Sequence, residues 1–160
     1  MSDVKTLDDQ DIFAWSKQQA EALRSAARSG SNQALDWDNL AEEIEDLGAS
    51  QKSSLHSQAR RIIEHLLKLE FSPAKDPRLG WEELITNARV EIDYLFSVSP
   101  SLRNEVDAAI DEETKRALRL VLRALQGYGE IDWAGASRIR ATTYTAEQVL
   151  GDWFPPEPRS

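Results

Sequence analysis

Residues 35–71 read LDWDNLAEEIEDLGASQKSSLHSQARRIIEHLLKLEF, and the spacing within them decides the fold. Leu40, Ile44, Leu47, Gln51, Leu55, Ala59, Ile62, Leu66 and Leu69 follow one another at steps of three or four. Such steps place them on one face of a helix. Asp36 is placed to accept the first free backbone N–H groups, and Asp38 adds negative charge to the first turn. Gly48 costs a helix interior about 1 kcal/mol relative to alanine, and Ser50 could cap a second helix there. The apolar register nevertheless resumes at Leu55, so the stretch reads as one continuous helix, with any bend at the glycine. From Trp37 to Glu70 it spans roughly 50 Å, at about 1.5 Å per residue. A helix that long needs others packed along it. Phe71-Ser72-Pro73 ends it, because the residue before a proline avoids helical backbone.

Outward from this helix, residues 1–7 read as a loose tail. A first helix is expected from Asp8 or Asp9 to about Arg28, with Phe13, Ala20, Leu23 and Ala27 inward. Ser29-Gly30-Ser31-Asn32 stops it and links it to the central helix. Ser72 to Gly80, SPAKDPRLG, reads as a loop. A third helix follows from Trp81 to about Phe96, facing inward with Trp81, Ile85, Ala88, Ile92 and Phe96. Pro100 marks a tight turn, with Ser101 as cap to a fourth helix from Leu102 to Gln126. Its inner face is Leu102, Val106, Ala109, Ile110, Ala117, Leu120, Val121 and Ala124. Short connections favour antiparallel neighbours. The expected fold is therefore all-α: one domain over residues 1–160, an up-and-down four-helix bundle around the long central helix. Gly127 to Thr143 is poorly patterned, with room for a short helix between Ile131 and Ser137. Thr145-Ala-Glu-Gln148 has the form of a capping box and opens a short helix to about Leu150. Trp153 and Phe154 are expected to dock as a C-terminal latch.

Several of these stretches also carry a resemblance. LDWDNLAEEIEDLG followed by HLLKLEF resembles the signature of a bacterial family known as domain-of-unknown-function family twenty-nine. DIFAWSKQQAEALR is similar to that family's first helix, and the pattern W…IT…R…I…L…SPSL from Trp81 to Leu102 and the segment YTAEQVL fit as well. Leu69 departs from it, since the family more often has an aromatic residue there, and Gly127 to Thr143 has no clear counterpart. The resemblance implies an all-helical bundle from bacteria with no established activity.

Composition narrows the function classes. The chain has 160 residues, 41% hydrophobic and 29% charged, as in ordinary soluble globular proteins. No apolar run approaches the length of a membrane span. The polar opening MSDVKTLDDQD does not read as a secretory leader. The absence of cysteine excludes disulfides, zinc–thiolate sites and cysteine catalysis. A cytoplasmic protein is the expectation. The net charge of −9 argues against nucleic acid as a partner, because phosphate binding draws on clustered Lys and Arg. Residues 51–80 carry a local positive excess, which suits the solvated C-terminal end of the central helix.

The candidate functional residues are those that break the apolar pattern. Arg89 falls between Ile85 and Ile92, and Glu113 between Ile110 and Ala117. Either alone would be costly to bury. In an antiparallel pair turning near residue 99 they meet, so a buried Arg89–Glu113 pair is predicted. The plain reading is an ion pair fixing helix register; the functional one is a polar cavity. His65 and Glu43 border the central helix's apolar face and complete a candidate polar core cluster of Arg89, Glu113, Glu43 and His65. A metal site is not expected: there are two histidines, His56 and His65, and the Glu-x-x-His motif of bundle metal centres is absent. The carboxylates of AEEIED read mainly as a charged helix face. Neither a G-x-S-x-G nucleophile elbow nor a phosphate-binding glycine loop occurs. No cofactor is expected. The leading functional expectation is a helical protein-interaction or oligomerising module, with a protein partner or a second copy of itself. The alternative is a small-molecule or metal-dependent enzyme with a polar site in the bundle.

Overall fold

The computed structural model describes residues 4–30 and 33–158. Seven α-helices occur there: α1 (Val4–Gln10), α2 (Ile12–Arg28), α3 (Trp37–Phe71), α4 (Arg78–Val98), α5 (Val106–Gly127), α6 (Trp133–Arg140) and α7 (Ala146–Leu150). A 3-10 helix, Pro100–Glu105, precedes α5. No strand occurs among the described residues. The protein is all-α, as its periodicity requires. It divides into two compact units, residues 1–54 with 94–105 and residues 55–93 with 106–160.

The central helix α3 is continuous through Gly48 and ends at Phe71, ahead of Pro73. Its C-terminal carbonyls find a donor in Arg78, whose guanidinium reaches the Leu69 oxygen at 2.6 Å and the Ser72 oxygen at 3.3 Å. This satisfies groups that a helix end leaves unpaired.

In the first unit, helix begins earlier than its sequence suggests, at Val4, and breaks at Asp11. Residues 1–3 of the expected tail, and Ser31 and Asn32 of the expected link, lie outside the described residues. Asp11 adopts extended backbone, and its carboxylate accepts from the Ala14 amide at 2.8 Å, restarting the chain as α2. The same carboxylate accepts from the Ser101 hydroxyl at 2.8 Å and the Ser101 amide at 2.7 Å. Ser101 therefore does not cap a fourth α-helix; Asp11 captures it, and Pro100–Glu105 winds as a 3-10 helix before α5 begins at Val106. Gly48 is buried against α2, facing Ser16 and Phe13. Gly48 is thus the point of close approach, and Ala41, two turns earlier on the same face, is also buried. Leu40 and Leu47, one position round the helix, are left 39% and 50% exposed. They belong to the predicted inner face, so that expectation fails over the first half of α3.

In the second unit the pattern holds. Leu55, Ala59, Ile62, Leu66 and Leu69 of α3 are buried, with Ile63 and Leu67 beside them. Ile85, Ala88 and Ile92 of α4 and Val106, Ala109, Ile110, Ala117, Val121 and Leu125 of α5 are also buried. Leu120, expected inside, is largely exposed. The third helix starts at Arg78 rather than Trp81, because Pro77 supplies the carbonyl for the Trp81 amide at 3.0 Å. The glycine-rich stretch holds α6, with Asp132 capping it through the Gly135 amide at 2.7 Å. Thr145 and Gln148 form the predicted capping box of α7. The C-terminal segment makes contacts within the second unit. The Tyr144 and Trp153 rings meet at a tilt of 52° with centres 5.9 Å apart, and the Tyr144 hydroxyl donates to Glu70 at 2.5 Å. Burial and the Glu70 carboxylate push that phenol far above its usual pKa.

Candidate functional site

In the second unit, the polar cluster centres on Glu113, whose side chain is wholly buried on α5. The carboxylate oxygen Oε1 sits 3.0 Å from His56 Nδ1 on α3 and also accepts from Arg116, one turn along α5. Oε2 has an ion-pair contact with Arg60 at 3.5 Å but accepts no hydrogen bond. Glu112 approaches the same imidazole nitrogen, with Oε2 at 3.7 Å. His56 Nε2 is buried and has no partner. Helix geometry explains the gathering. His56 and Arg60 stand four apart on α3, and Glu113 and Arg116 three apart on α5, so each pair shares a face. Two arginines against two carboxylates leave the cluster close to neutral, which is what makes a fully buried glutamate affordable.

The predicted Arg89–Glu113 pair does not form. Arg89 is buried, but its guanidinium serves the chain's C-terminal segment. Nε donates to the Val149 carbonyl at 2.9 Å, and Nη2 donates to those of Gln148 at 2.9 Å and Trp153 at 2.7 Å. The Phe154 ring lies 5.0 Å from the guanidinium carbon. A cation beside the last carbonyls of a helix is favourable. Arg89 therefore caps α7 and holds the latch. Burial pulls its pKa down and Asp152 opposes this.

His65 and Glu43 do not join these residues in a polar core. His65 Nδ1 lies 2.6 Å from the carbonyl of Arg61, one turn back on its own helix. Burial lowers its pKa, and the Arg61 carbonyl partly compensates. Glu43, in the first unit, is exposed and makes no ion pair among the described residues. Its position is informative for another reason. It stands between Leu40 and Leu47, three residues from one and four from the other, so the three share a strip of α3. Ile44 beside them is half-buried and Leu35 is 48% exposed. From Leu35 to Gln51 the sequence has six acidic residues and no Lys or Arg. Among the described residues only one of the six, Glu45, has a basic partner, Arg24 at 2.6 Å. That contact raises the Arg24 pKa and lowers that of Glu45.

Residues 7–154 match the model of the family described as Domain of unknown function DUF29. The chain belongs to that family. No curated protein matches it. Among solved structures, DUF29 architecture has a counterpart in a protein from Rhodospirillum rubrum, described as an alpha-helical protein of unknown function. The two share 24% identity over 91% of this chain and 96% of the other, with a TM-score of 0.66. At that identity the likeness concerns the fold alone. No helix among the described residues is long and apolar enough to cross a membrane.

His56, Arg60, Glu112 and Arg116 were not picked out from the sequence as partners of Glu113. The i,i+4 and i,i+3 spacings of His56–Arg60 and Glu113–Arg116 are legible there. The pairing of the two faces is not, because polar residues on separate helices carry no mutual signal.

Proposed function

We propose that this DUF29 protein is an interaction module whose α3 strip, Leu40, Glu43 and Leu47 with Ile44, docks a basic amphipathic helix of a partner protein. The observation that carries the reading is the exposure of Leu40 and Leu47 at 39% and 50% on an otherwise core-type register. Apolar residues in a row on a charged helix are the anchors of helix-in-groove recognition. Charge selects the partner. The carboxylates flanking the strip repel a second copy of the same strip and attract Lys and Arg spaced along a helix. Glu43, between the two leucines, is placed to receive one of them.

The test uses two synthetic helical peptides with identical leucine spacing, one lysine-rich and one glutamate-rich, and measures binding to the intact protein by fluorescence anisotropy. The lysine-rich peptide is expected to bind, more weakly as salt rises. Leu40→Asp and Leu47→Asp should abolish binding, and Glu43→Lys should weaken it. Equal binding of both peptides, no binding at low salt, or binding that survives both leucine substitutions would refute the reading. A tight homodimer in a native mass spectrum, lost on Leu47→Asp, would replace the partner helix with a second copy of the chain.

A further inference from the structure

We propose that His56, Glu112 and Glu113 form a binding site for a divalent transition-metal ion of the zinc, cobalt or manganese class. One ligand atom from each lies within 4.8 Å of the others. The imidazole Nδ1 is the shared point, 3.0 Å from Glu113 Oε1 and 3.7 Å from Glu112 Oε2. One imidazole nitrogen with carboxylate oxygens suits first-row transition ions better than magnesium or calcium, which prefer oxygen throughout.

A second observation points to a ligand. Glu113 is wholly buried, yet its Oε2 accepts no hydrogen bond and has as its ion-pair contact only Arg60, at 3.5 Å. A buried acceptor left unsatisfied is costly, and an ion held by both oxygens of Glu113 would satisfy it. The site also has an entrance, since the Glu112 side chain is 57% exposed. Closing the three ligands onto an ion at about 2.0–2.2 Å needs a rotation of that exposed carboxylate.

The two arginines define how the site works. Arg116, 55% exposed at the side chain, and Arg60, 38% exposed, hold the carboxylate charge in the absence of metal. Both have water to move into when a cation arrives. They act as competing counter-ions, so removing one should strengthen metal binding. A purely structural ion cluster predicts no such gain. Three protein ligands leave coordination positions for water or a substrate oxygen, the arrangement of a catalytic rather than a closed structural site.

The experiment titrates the intact, metal-stripped protein with cobalt(II) alone, followed by its visible absorption, and with zinc(II) alone by calorimetry. Saturation at one ion per chain is expected. Glu112→Gln, at an exposed position, should leave the circular dichroism spectrum and melting temperature unchanged. It should weaken binding by at least about tenfold, since even the loss of a ligand's outer partner has that effect. Arg116→Ala should tighten binding. The proposal is overturned if the intact protein shows no saturable uptake, or if neither Glu112→Gln nor His56→Gln weakens it while both remain folded.

Discussion

A Cβ placed on Gly48 would stand 2.1 Å from the Ser16 hydroxyl oxygen and 3.2 Å from the Ser16 Cβ. The hydroxyl is turned inward, donating to the Phe13 carbonyl at 2.8 Å. The glycine that seemed a flaw in the central helix is thus the point where α2 lies against it. Gly48→Ala should gain about 1 kcal/mol from helix propensity alone. Overpacking costs about 1–3 kcal/mol and outweighs that gain, so a net loss of up to about 2 kcal/mol is expected in urea denaturation. Ser16→Ala in the same chain removes the nearer clash and should recover part of the loss, so the two changes will not add. A stabilising Gly48→Ala would contradict the close approach.

Asp11 joins two segments far apart in sequence, accepting from Ala14 and from both donors of Ser101. Asp11→Ala removes a helix cap and the acceptor for two further donors. It should destabilise the protein by about 2–3 kcal/mol. Asp11→Asn, which retains one acceptor oxygen, should lose less. Equilibrium unfolding followed by circular dichroism measures both.

Arg89→Met keeps the aliphatic stem but leaves the carbonyls of Gln148, Val149 and Trp153 without this donor. A cost of about 2–4 kcal/mol is expected, since these are hydrogen bonds to a charged group. Hydrogen exchange should quicken selectively in residues 145–158. Arg89→Lys preserves the charge without the planar fork, and should rescue only a minor part of the protection. Uniform exchange in the variant would show that Arg89 does not hold the latch.

The pH dependence of His65 has a definite sign. Its folded pKa lies below the usual 6.5 because burial penalises the charged ring. Below pH 6.5 the unfolded chain therefore binds more protons at this site than the folded one, and stability falls as the pH is lowered. The contribution is fully present above 6.5 and is lost as pH drops through the folded value. His65→Asn should flatten the difference in unfolding free energy between pH 7.5 and pH 5. An unchanged slope would mean that the ring titrates freely in the folded protein.

The C-terminal half of α3 was legible in the sequence because Leu55, Ala59, Ile62, Leu66 and Leu69 keep helical period and are all buried. The Thr145–Gln148 capping box was legible for a similar reason, being set by residues three apart. Leu40 and Leu47 obey the same period and are exposed. Periodicity reports that a face is apolar, not whether a neighbour covers it. Here α2 makes its close approach at Gly48, one position round the helix from Leu47.

The candidate site divides in the same way. That Arg89 and Glu113 stand on inward faces followed from spacing, and both are buried. Their partners did not follow. Arg89 found backbone carbonyls roughly 60 residues ahead, which offer no side-chain signal in a sequence. Glu113 found His56, Arg60 and Arg116. By itself the sequence determined the all-helical class, the long α3, the local caps and which polar residues must be compensated, because these rest on the helical repeat and on the cost of burying charge. Tertiary structure alone decided which partner compensates each and which leucines remain uncovered, because those choices depend on how closely helix backbones approach one another.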